Sequence, residues 1–192
     1  VDIDTHSGIF DNGTVEGAPI GGRLIANGAT VRADTLQNTG GLISSSDSTQ
    51  LTGQSISNDH GAILSGGALK VESAGALSNI AGRIGGDVDV KIVGTTIDNT
   101  RGMANASSRL SIDAGHTLTN ADGDVHAGQA IALSAGALNN DGRIESGGHI
   151  NIAAHGDLVN SGRVRAAGDL DVAAEGNLTN AGSMTARGVG PV

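Results

Sequence analysis

Three arginines and two pairs of aspartates are the residues whose spacing suggests chemistry. Arg143 and Arg163 stand in equivalent places of one column, Arg83 falls in the same column, and Arg165 follows close by. Side by side, Arg143, Arg163 and Arg165 would form a small basic spot able to hold an anion. Asp87/Asp89 and Asp169/Asp171 each flank an aliphatic residue, so each pair points outward from one strand. Outward carboxylates can hold calcium or act as acid and base on a polysaccharide. The plainer reading, preferred here, is a solvated acidic face that discourages lateral aggregation. The histidines, His6, His60, His116, His126, His149 and His155, fall in different columns, and only His149 and His155 share a repeat. They read as solvated turn or face residues, and no metal or cofactor is expected. There is no cysteine, hence no disulfide and no thiolate metal site. No Ser-His-Asp set, phosphate loop or nucleotide fingerprint is supported, and the sequons at Asn12, Asn105 and Asn177 are few enough for chance.

What must position these residues is a repeat. Residues 140–159 read NDGRIESGGHINIAAHGDLV and residues 160–179 read NSGRVRAAGDLDVAAEGNLT. A fixed period near twenty marks a solenoid. The same columns run through most of the chain. Aliphatics recur at Leu36, Ile56, Leu77, Ile97, Leu118, Leu138, Leu158 and Leu178, each followed two residues later by an asparagine. A second apolar column holds Ile43, Ile63, Ile84, Ala104, Val125, Ile144, Val164 and Met184. A third is an alternating pair: Leu69/Val71, Val88/Val90, Leu110/Ile112, Ile131/Leu133, Ile150/Ile152 and Leu170/Val172. Apolar residues two apart argue for half-buried strands, and no stretch keeps a helical period. The expectation is an all-β parallel solenoid with three short strands per rung and turns of Gly, Asn and Asp.

One rung carries too few aliphatics to offset the ordering of its backbone, at about 1–2 kcal/mol per residue. Stacking must therefore supply the stability, in a rod on the order of 40 Å long. The asparagines suit the left-handed conformation of sharp turns and, stacked in register, can bond one another along the rod.

Composition narrows the function. The net charge of −9 argues against nucleic acid or acidic membranes as partners. No apolar run reaches a transmembrane length, so no membrane insertion is expected. One Phe and no Trp or Tyr exclude a large aromatic core; the 32 glycines suit a thin one. Residues 1–37 read as irregular first rungs with an extruded loop at Glu16–Gly22, which contains Pro19. Residues 38–184 read as regular repeats, although the serine-rich stretch after Ile43 lacks the usual middle pair and should make rung 38–57 the loosest. Residues 185–192 read as a truncated continuation. Both ends look cut from a longer protein.

The pattern Gly-x-Leu-x-Asn, then x-Gly-x-Ile, then Gly-x-Leu-x-Val appears as Gly156-Asp157-Leu158-Val159-Asn160, Gly162-Arg163-Val164 and Gly168-Asp169-Leu170-Asp171-Val172. Over about residues 36–184 this resembles the haemagglutinin repeats of the filamentous haemagglutinin and contact-dependent-inhibition exoproteins. The resemblance implies a right-handed parallel β-helix, secretion by the two-partner route through an outer-membrane transporter, and display at the bacterial cell surface. It implies the shaft of an adhesin or of a toxin-delivery filament, the adhesin being preferred. Members of that family bind sulfated glycans, which makes host-cell surface glycans or receptors the implied partners and Arg143, Arg163 and Arg165 the candidate contact. The rivals are a β-helical polysaccharide-degrading enzyme, which needs clustered carboxylates in a cleft, and a plain binding module.

Overall fold

Each repeat folds into three short strands because its apolar and polar residues alternate over three to five positions at a time, with Gly, Asn or Asp closing each run. The computed structural model, which describes residues 1–14 and 20–188, stacks these repeats into a parallel β-helix of about eight turns. Face I is a sheet of nine four-residue strands among the described residues, running from Arg23–Ala26 through Arg143–Ser146 and Arg163–Ala166 to Ser183–Ala186. Face II begins at Asp2–Asp4 and continues through strands such as Thr49–Gly53, Leu69–Ser73 and His149–Ala154. Face III carries the short strands Ile9–Asp11, Thr35–Gln37, Ser55–Ser57 and their successors. Faces II and III belong to one sheet because single strands, Val90–Asp98, Arg109–Asn120 and Ala130–Asn140, run through both.

Every pairing is parallel, and the inward columns stack residue on residue. On face III the column runs Leu36, Ile56, Leu77, Ile97, Leu118, Leu138, Leu158, Leu178. On face I it runs Ile43, Ile63, Ile84, Ala104, Val125, Ile144, Val164, Met184. Between them the columns make one continuous aliphatic core.

The asparagine column is a hydrogen-bonded ladder inside the corner between faces III and I. The Nδ2 of Asn12, Asn38, Asn58, Asn79, Asn99, Asn120, Asn140 and Asn160 each donates to Oδ1 of the next asparagine, ending on Asn180, at 2.6–2.8 Å. Most of these amides also donate to a carbonyl of the turn beside them, as Asn38 does to Gly41, and Asn38 reaches as well the carbonyl of Ala62, the first residue of the face I strand one rung on. The side chains thus add a second donor to turn carbonyls that already accept a backbone N–H from the next rung, as Gly41 does from Ala62 at 2.8 Å. The buried amides find their partners in the ladder and the turn.

Three expectations are corrected. At five of the corners between faces III and I the left-handed residue is not the asparagine but the one two places later: Gly40, His60, Ala81, Arg101 and Asp122. Buried in the ladder, asparagine is held by its amide bonds, and the exposed corner takes the backbone reversal. The rung at 38–57 keeps its middle strand, Thr49–Gly53, in register with its neighbours. Thr49 fills the aliphatic's place at 2 % exposure, its hydroxyl 2.6 Å from Ser45 Oγ, and Ser45 and Ser65 both bond the Asp47 carbonyl. The pair Val88/Val90 is really Val90/Ile92, which stack on Leu69 and Val71, and Val88 is 45 % exposed. Of the extruded loop, Glu16 and Pro19 lie outside the described residues; Gly21 and Gly22 bond back to Gly40, Asn12 and Gly13.

Candidate functional site

The twenty-residue period brings the three candidate arginines together on the outer side of face I. Register places Arg143 beside Arg163, and Glu145 beside Arg165. Alternation then turns all four side chains outward, while Ile144 and Val164 between them are buried. Arg83, in the same column, is separated from Arg143 by Met103 and Asp124.

At the centre of the spot sits an acid. Glu145 accepts a hydrogen bond from Arg143 Nη2 at 2.7 Å and pairs with Arg163 Nε at 3.2 Å, its side chain only 16 % exposed. Partial burial pushes the Glu145 carboxyl up, but the Arg143 hydrogen bond and the charges of Arg143, Arg163 and Arg165 outweigh it and hold it below the ordinary value. Arg143 is correspondingly raised by the Glu145 hydrogen bond and charge, with Asp124 adding to it. Glu145 thus offsets one of the three arginine charges, and Asp124 lies beside Arg143 in the next rung, so the spot stays cationic chiefly at Arg163 and Arg165.

A carboxyl held low in the folded state contributes stability that is present above its unfolded pKa, about 4.3, and lost as pH falls through the folded value. Glu145→Gln should therefore lower the urea midpoint at pH 7, by an amount worth under about 1 kcal/mol for so exposed a pair of arginines. The difference from the parent should shrink steadily below about pH 4. A gap unchanged down to pH 3 would mean that the carboxylate charge is not what Glu145 contributes.

The other candidates do not converge. Asp87 and Asp89 lie in the turn before the strand that starts at Val90, and Asp89 Oδ1 accepts the Arg109 N–H. Asp171 points outward from face II beside Asp169, whose carboxylate is 3.4 Å from His149 Nδ1. His155 Nδ1 lies 3.1 Å from Glu175 in the same way. Both pairs join neighbouring rungs and are open to water. Among the described residues, no three His, Cys, Asp or Glu side chains gather as a metal site would require. A notch of about 460 Å³ on face I, where Gly85 leaves no side chain, is lined by Ser44, Leu64, Arg83, Asp87 and Asn105. It offers one carboxylate, not the pair that glycoside cleavage uses. Asn105 lies over Gly85 with its Oδ1 buried and unpartnered.

Sequence reasoning missed Glu145. Its place was readable, two residues from Arg143 on one strand and one period before Arg165, had the acids been aligned along with the arginines.

The family model described as haemagglutinin repeat matches residues 21–81, 83–162 and 146–190. Neither the curated proteins nor the solved structures hold a significant match to the chain.

Proposed function

Since the chain belongs to the haemagglutinin repeat family, we propose that it is a length of shaft in a secreted filamentous adhesin displayed at the bacterial surface. The observation that carries this is the uninterrupted ladder from Asn12 to Asn180, in which each rung is built on the last in the same way. Such a body transmits length and stiffness, advancing ~4.8 Å per rung. Its work is to hold a binding tip away from the cell, after export through an outer-membrane partner. The shaft of a toxin-delivery filament would be built identically, and the adhesin is our choice.

Lateral contact with anionic host glycans is the second reading. What favours it is that Arg143, Arg163 and Arg165 share one exposed patch with a single carboxylate among them.

The enzymatic rival is tested by reducing-end release from acidic polysaccharides, with and without calcium. The shaft reading predicts no release above the buffer control. Turnover that follows the folded protein through purification would overturn it.

A further inference from the structure

Charge is segregated around the rod. The face I strands carry five arginines, Arg23, Arg83, Arg143, Arg163 and Arg165, against two acids, Asp124 and Glu145, in a chain of net charge −9. The corner across the section from face I joins faces II and III. It carries an acid in three rungs only: Asp34, Asp157 and Glu175, all exposed. Each of these rungs also bears arginine on face I. Arg23 precedes Asp34, Arg143 precedes Asp157, and Arg163 and Arg165 precede Glu175. Where the corner is Gln54, Ala74-Gly75, Gly115-His116 or Gly136, the face I strand of that rung has no arginine; Arg83 alone lacks a partner acid. Cation and acid lie on opposite sides of the core, so they cannot pair within one chain.

We propose that face I docks against the acidic corner of a second copy of this chain, with the two rods parallel and in register, so that shafts associate side by side. This rests on the shaft reading. In that register Arg143 meets Asp157, Arg163 and Arg165 meet Glu175, and Arg23 meets Asp34 at matching heights. The interface is heterologous, since face and corner differ, and it propagates as an open row of rods rather than a closed dimer. A face four residues, about 13 Å, wide on a rod about 40 Å long offers roughly 500 Å², less than the roughly 800 Å² per partner of a standard interface. One segment therefore pairs weakly, and repetition along a longer filament multiplies the effect. Asp157 already accepts the Asn177 N–H, and Glu175 faces His155; both keep a second oxygen for an incoming guanidinium.

The test is a small-angle scattering concentration series to about 1 mM, in about 0.01 M and about 1 M salt, where the screening length falls from ~30 Å to ~3 Å. Two charge-reversed proteins join the parent. One carries Arg143→Glu, Arg163→Glu and Arg165→Glu; the other carries Asp34→Lys, Asp157→Lys and Glu175→Lys. Circular dichroism first establishes that each keeps its β signal. In low salt the parent should rise in apparent mass with a widening cross-section and return to monomer in high salt. Each reversed protein alone should stay monomeric, and their mixture should associate again. Growth at constant cross-section is end-to-end joining through strand edges and would overturn the proposal. So would parental association that survives both reversals, a mixture that remains monomeric, or a monomeric parent that binds only a sulfated polysaccharide. In each of these cases a protein that still scatters as a uniform rod leaves the shaft reading intact.

Discussion

Asn99→Ala is expected to cost about 2–4 kcal/mol of folding stability, because its loss strands buried partners above and below. The Asn79 amide loses its ladder acceptor at 2.7 Å and keeps only the Met103 carbonyl, the Asn120 Oδ1 loses its donor at 2.8 Å, and the Gly102 carbonyl loses a bond at 3.2 Å while keeping the Asp124 N–H. Asn120 Oδ1 has no other donor among the bonds described. Asn99 is 2 % exposed, so water does not replace what is removed. Asn99→Asp should be no better, since a carboxylate accepts from Asn79 but sets a second acceptor against Asn120 Oδ1. The control is Asn151→Ala, an asparagine that points outward from face II; it should lie within about 0.5 kcal/mol of the parent. Urea unfolding of the three proteins measures this. Equal midpoints for Asn99→Ala and Asn151→Ala would show that the ladder holds nothing together.

Gly82→Ala should be nearly as damaging, for a steric reason. An added methyl at Gly82 would overlap the Asn58 carbonyl of the preceding rung and stand 2.6 Å from Asn79 Oδ1. Both atoms are fixed by rung stacking, so the rungs must part locally. Overpacking of this kind costs about 1–3 kcal/mol, and contact with backbone puts it at the upper end. The same collision recurs at Gly61, Gly102 and Gly123, each against the asparagine carbonyl one rung below. Gly115→Ala is the contrast. Its methyl would meet only the Thr95 Cα at 3.8 Å, and its φ is not left-handed, so a gain of about 0.4–1 kcal/mol is expected from the restricted unfolded chain. Thermal midpoints of the two variants should move in opposite directions. Two equal losses would mean that glycine serves flexibility here rather than close approach.

Much of this architecture could be read from spacing, and the failures have physical causes. A column of aliphatics at a fixed period admits one stacking register, and Leu36 through Leu178 took it. Near Val88 the sequence Val88-Asp89-Val90-Lys91-Ile92 alternates over five residues, so two registers bury equally good pairs; stacking on Leu69 and Val71 selects the later one. Thr49 does not read as a core residue from the sequence because a hydroxyl looks polar until Ser45 is placed across the corner from it. Asparagine's general tolerance of the left-handed conformation points to it as the turn residue. The period alone cannot say that the amide is needed inward and that the residue two places on makes the reversal. The arginine spot was legible as a column, but its electrostatics were not, because Glu145 is seen to offset part of its charge only once two adjacent strands are laid side by side.

The claim beneath all of this is that rungs are interchangeable units of length. It is tested most directly by deleting residues 140–159, one whole repeat, and comparing scattering from the shortened and parent chains. The account predicts the same cross-section, a cooperative fold, and a rod shorter by one step of ~4.8 Å. A changed cross-section, or loss of the β-helix on removing a single complete rung, would contradict it.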